Sequence, residues 1–372
     1  MTGPRALLEQ LVRIPSVNPR EAATPAETPL AEFVAEWARA RGMQAELVPV
    51  QDGRANVVVT LAGASDDVIL LETHLDTVEA DGMTVAPYEV TYQDGRAYGR
   101  GTCDAKGQLA VFLSAMEAVA AAGVPSRTVV LAGVVDEEHR YVGVQELRRT
   151  WARTPLAAIV GEPTSLRMVV AHKGCMRCRI TVRGDGGHSS EPWGRSNAIS
   201  LAAEVVSYLQ GPDVQGALDA QAQELVGPPS LAVTMIEGGA GPNILPETCT
   251  ITIDRRTVPG EDPHQVWEAL ADDLTSRWPD VVEVAEPHIV DYALAATESP
   301  ALDQFQAVLR SHGLDGAPLG VGHGTDASKL ALDGVPCVVF GAGSIGKAHT
   351  ADEYVPLDEL DAACAVITSF IH

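Results

Sequence analysis

Three nearly uninterrupted apolar runs lie in the first half of the chain, at residues 68–73, 128–135 and 156–160. Runs of this length predict strands that are buried on both faces, as in a parallel sheet. Each run leads directly into residues that can bind a metal or exchange a proton. Because α/β sheets place their sites at the carboxyl ends of parallel strands, we expect the three ends to form one site.

The remaining periodicities predict further helices and strands around these runs. Asp94 and Gly95 form a hairpin turn signal between two alternating segments. Apolar residues at helical spacing before Gly42 and Gly123 predict helices that end at a glycine. The helices predicted in this part of the chain span residues 4–13, 29–41 and 108–122, and the further strands span 44–50 and 55–61.

The pattern changes near Met168 to amphipathic strands and two helices, which predict an antiparallel sheet covered by helices on one side. From about residue 290 the α/β pattern resumes. We therefore expect a larger α/β domain, residues 1–170 and 290–372, with a smaller α+β domain, residues 171–289, inserted into it. The elements predicted from here on are helices 195–210, 262–277, 299–312 and 357–371, and strands 231–237, 248–254 and 335–340.

Composition narrows the class of protein. At 372 residues the chain is too long for one ordinary core, and its 46% apolar and 20% charged residues are typical of a globular protein. The net charge of −24 argues against nucleic acid or an anionic membrane as a partner. We expect no signal peptide, because the start lacks a basic segment followed by an apolar one, and no membrane span.

The six cysteines are scattered, which favours a reducing cytoplasm over a disulfide scaffold. Cys175 and Cys178 form a CxxC pair. On an alternating strand these two side chains point to opposite faces, so we interpret both as packing residues.

The polar residues after the apolar runs are candidate metal ligands. His74 and Asp76 are two apart at a strand end, and an imidazole beside a carboxylate is the pair that fixes a metal-binding tautomer, although a satisfied structural histidine would look the same. Asp104 precedes a helix and would also suit an ordinary N-cap. Adjacent carboxylates, as at Glu137 and Glu138, raise one another's pKa unless a cation compensates.

Two further candidates complete the set: Glu162 follows the third apolar run, and His349 follows the last predicted strand. Histidine and carboxylate ligands without cysteine suit zinc, with manganese or cobalt as substitutes.

The motifs HLDT, GRGTCDAKG, DEEH, GEPT and AHTADEYV occur in this order along the chain. The series resembles the co-catalytic dizinc family of acetylornithine deacetylase, succinyl-diaminopimelate desuccinylase, aminoacylase and glutamate carboxypeptidase. The resemblance implies a zinc-peptidase-like α/β catalytic domain, whose central mixed sheet is flanked by helices, and an inserted α+β sandwich that serves as a dimerisation or lid domain. It also implies two Zn²⁺ ions, with Co²⁺ or Mn²⁺ as substitutes.

By this resemblance one zinc ion would be held by His74, Asp104 and Glu162. The other would be held by Glu138, His349 and the same, bridging Asp104. Asp76 would orient His74, and Glu137 would be the general base for a hydroxide between the ions. Of these assignments, the roles of base for Glu137 and metal ligand for Glu138 are the two that could most easily be interchanged.

The inserted segment carries the substrate-side residues that the resemblance implies. His188 in GGHSS would reach across a dimer to stabilise the oxyanion. Asn243 and Arg256 would hold a substrate carboxylate, with the neighbouring Arg255 as the alternative to Arg256. Further substrate contacts are expected from Lys173, Gly324, Thr325 and Ser344. Lys173 could equally be an ordinary solvated lysine on a strand.

Two departures from the usual motifs bear on specificity. His139-Arg140-Tyr141 is bulkier than the small turn expected after the paired glutamates, and Gly341-Ala342-Gly343 stands where Gly-Pro-Gly is common.

We therefore expect a cytoplasmic, homodimeric zinc-dependent amidohydrolase that acts on a small N-acyl amino acid or a short peptide. N-acetylornithine or a similar N-acetyl amino acid is the first candidate, which would place the enzyme in arginine biosynthesis. A desuccinylase or a carboxypeptidase/dipeptidase would use the same metal site. A non-catalytic relative is the remaining alternative, and the unliganded Glu137 argues against it.

Overall fold

A computed structural model describes residues 2–20, 26–51, 53–151 and 153–372 of the protein, and all structural statements below concern these residues. The chain forms two compact units. The first comprises Met1–Val170, Ala296–Leu319 and Thr325–His372. The second comprises Ala171–Ala295 and Gly320–Gly324.

The first unit contains most of the helices and the largest sheet. Its helices are α1 (Pro4–Val12), α2 (Thr28–Arg39), α3 (Lys106–Ala122), α4 (Val142–Thr150), α8 (Pro300–Ser311), α9 (Ala327–Ala331) and α10 (Leu357–Ile371), with a 3₁₀ turn at Ile345–Lys347. Its strands are β1 (Gln44–Pro49), β2 (Ala55–Leu61), β3 (Ser65–His74), β4 (Thr91–Gln93), β5 (Arg96–Tyr98), β6 (Arg127–Val134), β7 (Ala157–Val160), β17 (Cys337–Val339) and β18 (Tyr354–Pro356). The chain passes between the units within β8 (Val169–His172) and β16 (Leu319–Val321).

The central sheet is mixed, with the strand order β1-β2-β6-β3-β7-β17-β8-β16. The three strands predicted from the apolar runs, β6, β3 and β7, are adjacent and parallel, as expected for strands buried on both faces. Helix α3 is apolar over most of its circumference, as suits a helix that packs against α1 and α10 as well as against the sheet. The predicted fold class is confirmed, with a large mixed sheet flanked by helices.

The second unit is an antiparallel sheet with helices packed on one face. Its sheet has the order β11-β13-β9-β14, and β15 also pairs with β9. The apolar side chains that alternate along β9 and β13 form a separate core with the helices. The elements are β9 (Gly174–Arg183), β10 (Gly187–His188), α5 (Ala198–Leu209), α6 (Pro212–Asp219), β11 (Ser230–Gly238), β12 (Ile244–Leu245), β13 (Thr248–Thr257), α7 (Pro263–Arg277), β14 (Val282–Val284) and β15 (Ile289–Asp291).

Local sequence rules account for several helix starts. The side chains of Asn197, Asp262 and Ser299 accept main-chain N–H groups at the starts of α5, α7 and α8. Asp104 differs from this pattern, since Ala105 is the N-cap of α3 and no side chain caps this helix. Among the described residues no helix is both long and apolar enough to cross a membrane.

Candidate metal centre

The polar residues predicted to meet at the ends of the parallel strands do lie together in the first unit. His74 is the last residue of β3, the acidic triplet Asp136–Glu138 follows β6, and Glu162 follows β7. Parallel pairing of these three strands brings their carboxyl ends to one edge of the sheet. The site therefore follows from the register of the apolar core.

Asp104 lies between the two histidines of the cluster. Its Oδ1 is 2.9 Å from Nε2 of His74, and its Oδ2 is 3.2 Å from Nε2 of His349. One carboxylate thus offers each of its oxygens to a different imidazole. This is the geometry that a ligand bridging two cations requires.

Glu162 and Glu138 extend the cluster, and each lies beside one of the two histidines. Oε1 of Glu162 is 3.8 Å from Nε2 of His74. Oε1 of Glu138 is 2.8 Å from Nε2 of His349. All five residues predicted as ligands are therefore close together, whereas their division between two ions stays a prediction.

Electrostatics in the cluster follow from burial and crowding of like charges. Burial and the charge of Asp104 raise the pKa of Glu162 well above its ordinary value, and burial also raises the pKa of Glu138. The contacts with Asp104 and Glu138 raise the pKa of His349 to about 10. Burial alone would lower the pKa of His74, but the neighbouring carboxylates raise it well above its ordinary value.

This donor set fits divalent cations. In a ligand cluster without cations, only protons can offset the crowded negative charge. Its acidic side chains then resist ionisation, and its imidazoles are held protonated. Two groups of three side chains, His74/Asp104/Glu138 and His74/Glu137/Glu162, also have ligand atoms within 4.8 Å of one another. Imidazole nitrogens and carboxylate oxygens without cysteine are the ligands expected for zinc or a similar ion.

Asp76 contacts His74 and also holds the main chain of the loop after β6. Nδ1 of His74 lies 2.9 Å from the main-chain oxygen of Asp76, whereas the Asp76 carboxylate is 3.6 Å away. The carboxylate also accepts the main-chain N–H groups of Glu137 and Glu138, at 3.2 and 3.1 Å. Because β3 ends at His74, Asp76 lies beyond the strand, and the alternation that would have aimed both side chains the same way no longer applies.

Glu137 is partly buried, and its carboxylate has no hydrogen-bond partner in the described part of the chain. Burial and the charge of Glu138 raise its pKa to about 8, although His74 and Lys329 oppose the shift. Its ligand atoms also lie within reach of His74 and Glu162. The contact between His349 and Glu138 favours Glu138 as the ligand and leaves Glu137 for proton transfer.

The main chain around Asp104 is held by side chains that the sequence analysis did not single out. Glu353 is fully buried and accepts the N–H groups of Cys103 and Asp104, at 2.9 and 3.1 Å, while Arg100 donates to its other oxygen. Gln108 donates to the carbonyl of Cys103. The signal available in the sequence for Glu353 was its place in the DEYV part of the last motif.

Gln108 also explains why alanine suits the position where proline is common. Its Oε1 accepts the N–H of Ala342 at 3.0 Å, and its Nε2 donates to the Ala342 carbonyl at 2.7 Å. Proline has no N–H and could not make the first of these bonds. A Cβ atom on Gly341 would lie 2.2 Å from the same oxygen of Gln108, so glycine is required there.

Thr325 and Ser344, which were predicted to contact substrate, make hydrogen bonds to nearby main-chain groups in the first unit. The hydroxyl of the buried Thr325 accepts the N–H of Ala327 at the start of α9. The exposed Ser344 accepts the N–H of Gly346 in the 3₁₀ turn. Their role in binding substrate stays a prediction.

His188 and Asn243 lie together in the second unit. Strands β10 and β12 pair His188 with Ile244, and Ser189 donates its N–H to the carbonyl of Asn243. Nδ1 of His188 accepts the N–H of Ser190, which leaves Nε2 of this exposed ring to act as a donor.

Arg255 and Arg256 point to opposite faces of β13, as their adjacency predicts. Arg255 is buried on the helix side and pairs with Glu261. Arg256 lies on the open face, where Nε and Nη2 bond to Asp254. Burial lowers the pKa of Lys173, and the charges of Arg256 and Arg255 lower it further. This lysine therefore lies in a positively charged neighbourhood.

Gly324 packs against Asp291 in the same unit. A Cβ atom here would lie 2.1 Å from the Asp291 carboxylate, so a larger residue would require that carboxylate to move. Cys175 and Cys178 are both buried on β9, and all six cysteines are free.

Comparison with known proteins decides the family. A model of the peptidase family M20/M25/M40 matches residues 70–372. The chain belongs to this family. The prediction of a metallopeptidase or amidohydrolase is thereby confirmed, whereas membership of the acetylornithine deacetylase branch stays a prediction.

Solved structures agree with the fold of this M20 protein. A tripeptidase from Staphylococcus aureus is 21% identical with a TM-score of 0.81, and the match covers 99% of this chain and 96% of the other. An M20 metallo-carboxypeptidase from Sulfolobus solfataricus is 18% identical with a TM-score of 0.80, covering 100% and 99%. A dinuclear metal-binding M20 peptidase from Bacillus subtilis is 14% identical with a TM-score of 0.72, covering 99% and 96%.

Proposed function

We propose that this M20 protein hydrolyses the amide bond of a small N-acyl amino acid, with N-acetylornithine or a similar N-acetyl amino acid as the first candidate. The observation that carries the proposal is Glu137, a carboxylate without a hydrogen-bond partner in the described residues, beside a cluster whose other members contact one another. A site that only bound metal would have no need of this additional acid.

The proposed roles of the ligands follow the two groups around Asp104. His74, Asp104 and Glu162 would hold one Zn²⁺ ion, and Glu138, His349 and Asp104 the other, with Co²⁺ or Mn²⁺ as substitutes. Bound divalent ions supply Lewis acidity and lower the pKa of a water molecule at the site.

Glu137 is proposed to take a proton from the attacking water and give it to the leaving amine. Its main-chain N–H is held by Asp76 at 3.2 Å, so its side chain starts from a fixed position. Nearby positive charge favours the carboxylate form, and cations bound beside Glu137 would bring its pKa down from about 8 into the range of a general base at neutral pH.

The second unit is proposed to supply the groups that recognise the substrate. Arg256 keeps Nη1 without a partner among the described residues and would bind a carboxylate, with Lys173 adding positive charge and Asn243 a further polar contact. His188, with Nε2 available, would stabilise the developing oxyanion from a partner copy of the chain.

A short peptide is the second candidate substrate. Several structures that share the fold are named as a tripeptidase, an aminopeptidase and a dipeptidase. A dipeptide and an N-acyl amino acid both present an amide bond next to a free α-carboxylate, so Arg256 suits either.

A homodimer through the second unit is also proposed. Strand β11 is the edge of its sheet, and Met235 and Ile236 on it are 53% and 52% exposed. An exposed apolar edge strand is a natural site for pairing with a second copy. A cytoplasmic location is proposed from the six free cysteines.

A substrate panel tests the proposal. The protein is loaded with Zn²⁺ or Co²⁺ and assayed on N-acetyl amino acids including N-acetylornithine, on N-succinyl amino acids, and on di- and tripeptides. We expect the highest kcat/KM for an N-acetyl amino acid. A preference for peptides would select the second candidate, and failure on every amide despite bound metal would overturn the proposed reaction.

A further inference from the structure

A short segment after α1 runs alongside the loop that carries His74. The N–H of Thr77 donates to the carbonyl of Ser16, and the N–H of Asn18 donates back to the carbonyl of Thr77 at 2.8 Å. The hydroxyl of Ser16 bonds to the carbonyl of Leu75. This segment, residues 14–18, is therefore attached to the loop by main-chain and side-chain bonds.

The same segment is attached to the start of α3. Lys106, which is 1% exposed, donates from Nζ to the carbonyl of Ile14 at 2.6 Å. Lys106 follows Asp104 by two residues. Segment 14–18 thus touches two of the loops that carry the predicted ligands.

The side chain of Asn18 connects two buried acids. Its Nδ2 donates to Oδ2 of Asp76 at 2.7 Å and to Oδ1 of Asp136 at 3.0 Å. Its Oδ1 accepts the N–H of Arg20 at 2.7 Å. Since the oxygen is engaged by a donor, the NH₂ group must face the two carboxylates, and both of its hydrogens are used.

Each of these acids leads directly to the metal cluster. Asp76, which is fully buried, holds the N–H groups of Glu137 and Glu138. Asp136 is 1% exposed and has a φ of 69°, a left-handed conformation that costs free energy for a residue other than glycine. The direction in which Glu137 and Glu138 leave Asp136 depends on this conformation.

Arg54 is a second hydrogen-bond donor to Asp136, besides Asn18. Its Nη1 donates to Oδ1 of Asp136 at 3.0 Å, and its Nε donates to Glu27 at 2.9 Å. Arg54 and Glu27 are 3% and 0% exposed. The two carboxylates that Asn18 connects would otherwise repel each other in a buried environment, so a bridging donor and a cation are both needed to hold them.

We propose that Asn18 is a positioning residue for the metal centre, setting the separation between the loop of His74–Asp76 and the loop of Asp136–Glu138, with Arg54 anchoring the second loop. The inference rests on the proposed function in that it takes these loops to carry ligands and base. Neither Asn18 nor Arg54 touches a predicted ligand side chain. They act through Asp76 and Asp136.

The experiment compares Asn18→Ala with Asn56→Ala in the full chain. Asn56 is a matched control, because it is also buried and its side chain also makes two hydrogen bonds near the end of β6. These bonds go to the main-chain groups of Val135 and Gly143 rather than to carboxylates. Both variants are titrated with Co²⁺ against a chelator, and the visible absorption spectrum of the bound Co²⁺ is recorded. Unfolding by urea measures stability separately.

For Asn18→Ala we expect Co²⁺ affinity to fall about 10- to 100-fold, with an altered Co²⁺ spectrum and a lower kcat at a little-changed KM. Asn56→Ala should lose stability while keeping the wild-type spectrum and affinity. Equal changes in the two variants, or an unchanged spectrum in Asn18→Ala, would overturn the proposal.

Asn18→Ser provides the second variant if the alanine protein does not fold. A hydroxyl keeps one donor, so we expect an intermediate affinity, and wild-type affinity would overturn the proposal. Failure of the proposed function is distinguishable, because wild-type protein would then bind no Co²⁺ at all or would bind it without hydrolysing any amide.

Discussion

The carboxylate of Glu353 accepts the main-chain N–H of Asp104 at 3.1 Å, although 249 residues separate them in sequence. The last motif of the chain thus holds the main chain of Asp104, the proposed bridging ligand, as well as contributing His349. The second oxygen of Glu353 is bound by Arg100, which is itself 3% exposed. Buried on all sides, this arrangement has little freedom to adapt to a substitution.

We predict that Glu353→Gln lowers metal affinity about 10- to 100-fold, because the amide cannot offer acceptors to both the N–H groups and Arg100. Stability should fall by about 3–5 kcal/mol, since Arg100 is left buried without its counter-charge. Chelator competition and urea unfolding measure the two effects. The control is Glu79→Gln, whose exposed pair with Arg20 should be worth less than about 1 kcal/mol.

The two adjacent glutamates should give opposite results. In Glu137→Gln both ions should stay bound while turnover falls by about 10²–10⁴-fold, since the proton acceptor is lost. In Glu138→Gln the ligand paired with His349 is weakened, so metal content should fall as well. Metal analysis measures the bound ions in both variants, and single-turnover assays measure the chemical step. The reverse pattern would show that Glu137 is the metal ligand and Glu138 the base.

Metal binding should release protons near pH 7. In protein stripped of metal, the neighbouring carboxylates keep His349 protonated up to a pKa of about 10, and His74 is held protonated as well. Each histidine must lose its proton to bind a cation, so the affinity for metal should rise with pH from about 7 to about 10. Calorimetry in buffers of different ionisation enthalpy should detect protons released by the two histidines and by the glutamates whose pKa burial raises; binding without proton release would contradict the geometry.

The stability of stripped protein should change with pH in the opposite direction. The pKa of His349 is higher in the folded than in the unfolded state, so its contribution is fully present below about pH 6.5 and is lost as pH rises through about 10. Urea unfolding of His349→Gln and wild-type protein between pH 6 and 10 measures this contribution. The difference between the two should shrink as pH rises.

Lys329 should matter for both stability and catalysis. It is 4% exposed, donates to the carbonyl of Thr325 and lies 3.4 Å from the ring centre of Tyr141. Its charge lowers the pKa values of Glu72 and Glu137 against the effect of burial. Lys329→Met should therefore cost about 3–5 kcal/mol and move the acidic limb of the pH–rate profile upward.

The matched control for this prediction is Lys347→Met, which removes a partly exposed lysine paired with Asp352 at 3.0 Å. It should change stability by less than about 1 kcal/mol and leave the pH profile in place. An equal effect of the two substitutions would argue that Lys329 has no electrostatic role.

The sequence by itself determined the sheet and the edge at which the site lies. Apolar runs fix which strands are buried, and buried parallel strands must end together, so the positions of His74, Glu138 and Glu162 followed from periodicity and chain order. The motifs supplied Asp104 and His349. For the second unit, alternation along β13 was enough to separate the directions of Arg255 and Arg256.

Only the tertiary structure decided how these ligands are held. Asn18, Glu353 and Gln108 are polar residues whose partners lie far away in sequence, and no local pattern says which carboxylate or N–H each will meet. The same is true of Asp76, whose carboxylate holds the loop after β6 as well as lying 3.6 Å from His74. Hydrogen-bond partners depend on distances of a few tenths of an ångström between separate chain segments, and periodicity carries no information on that scale.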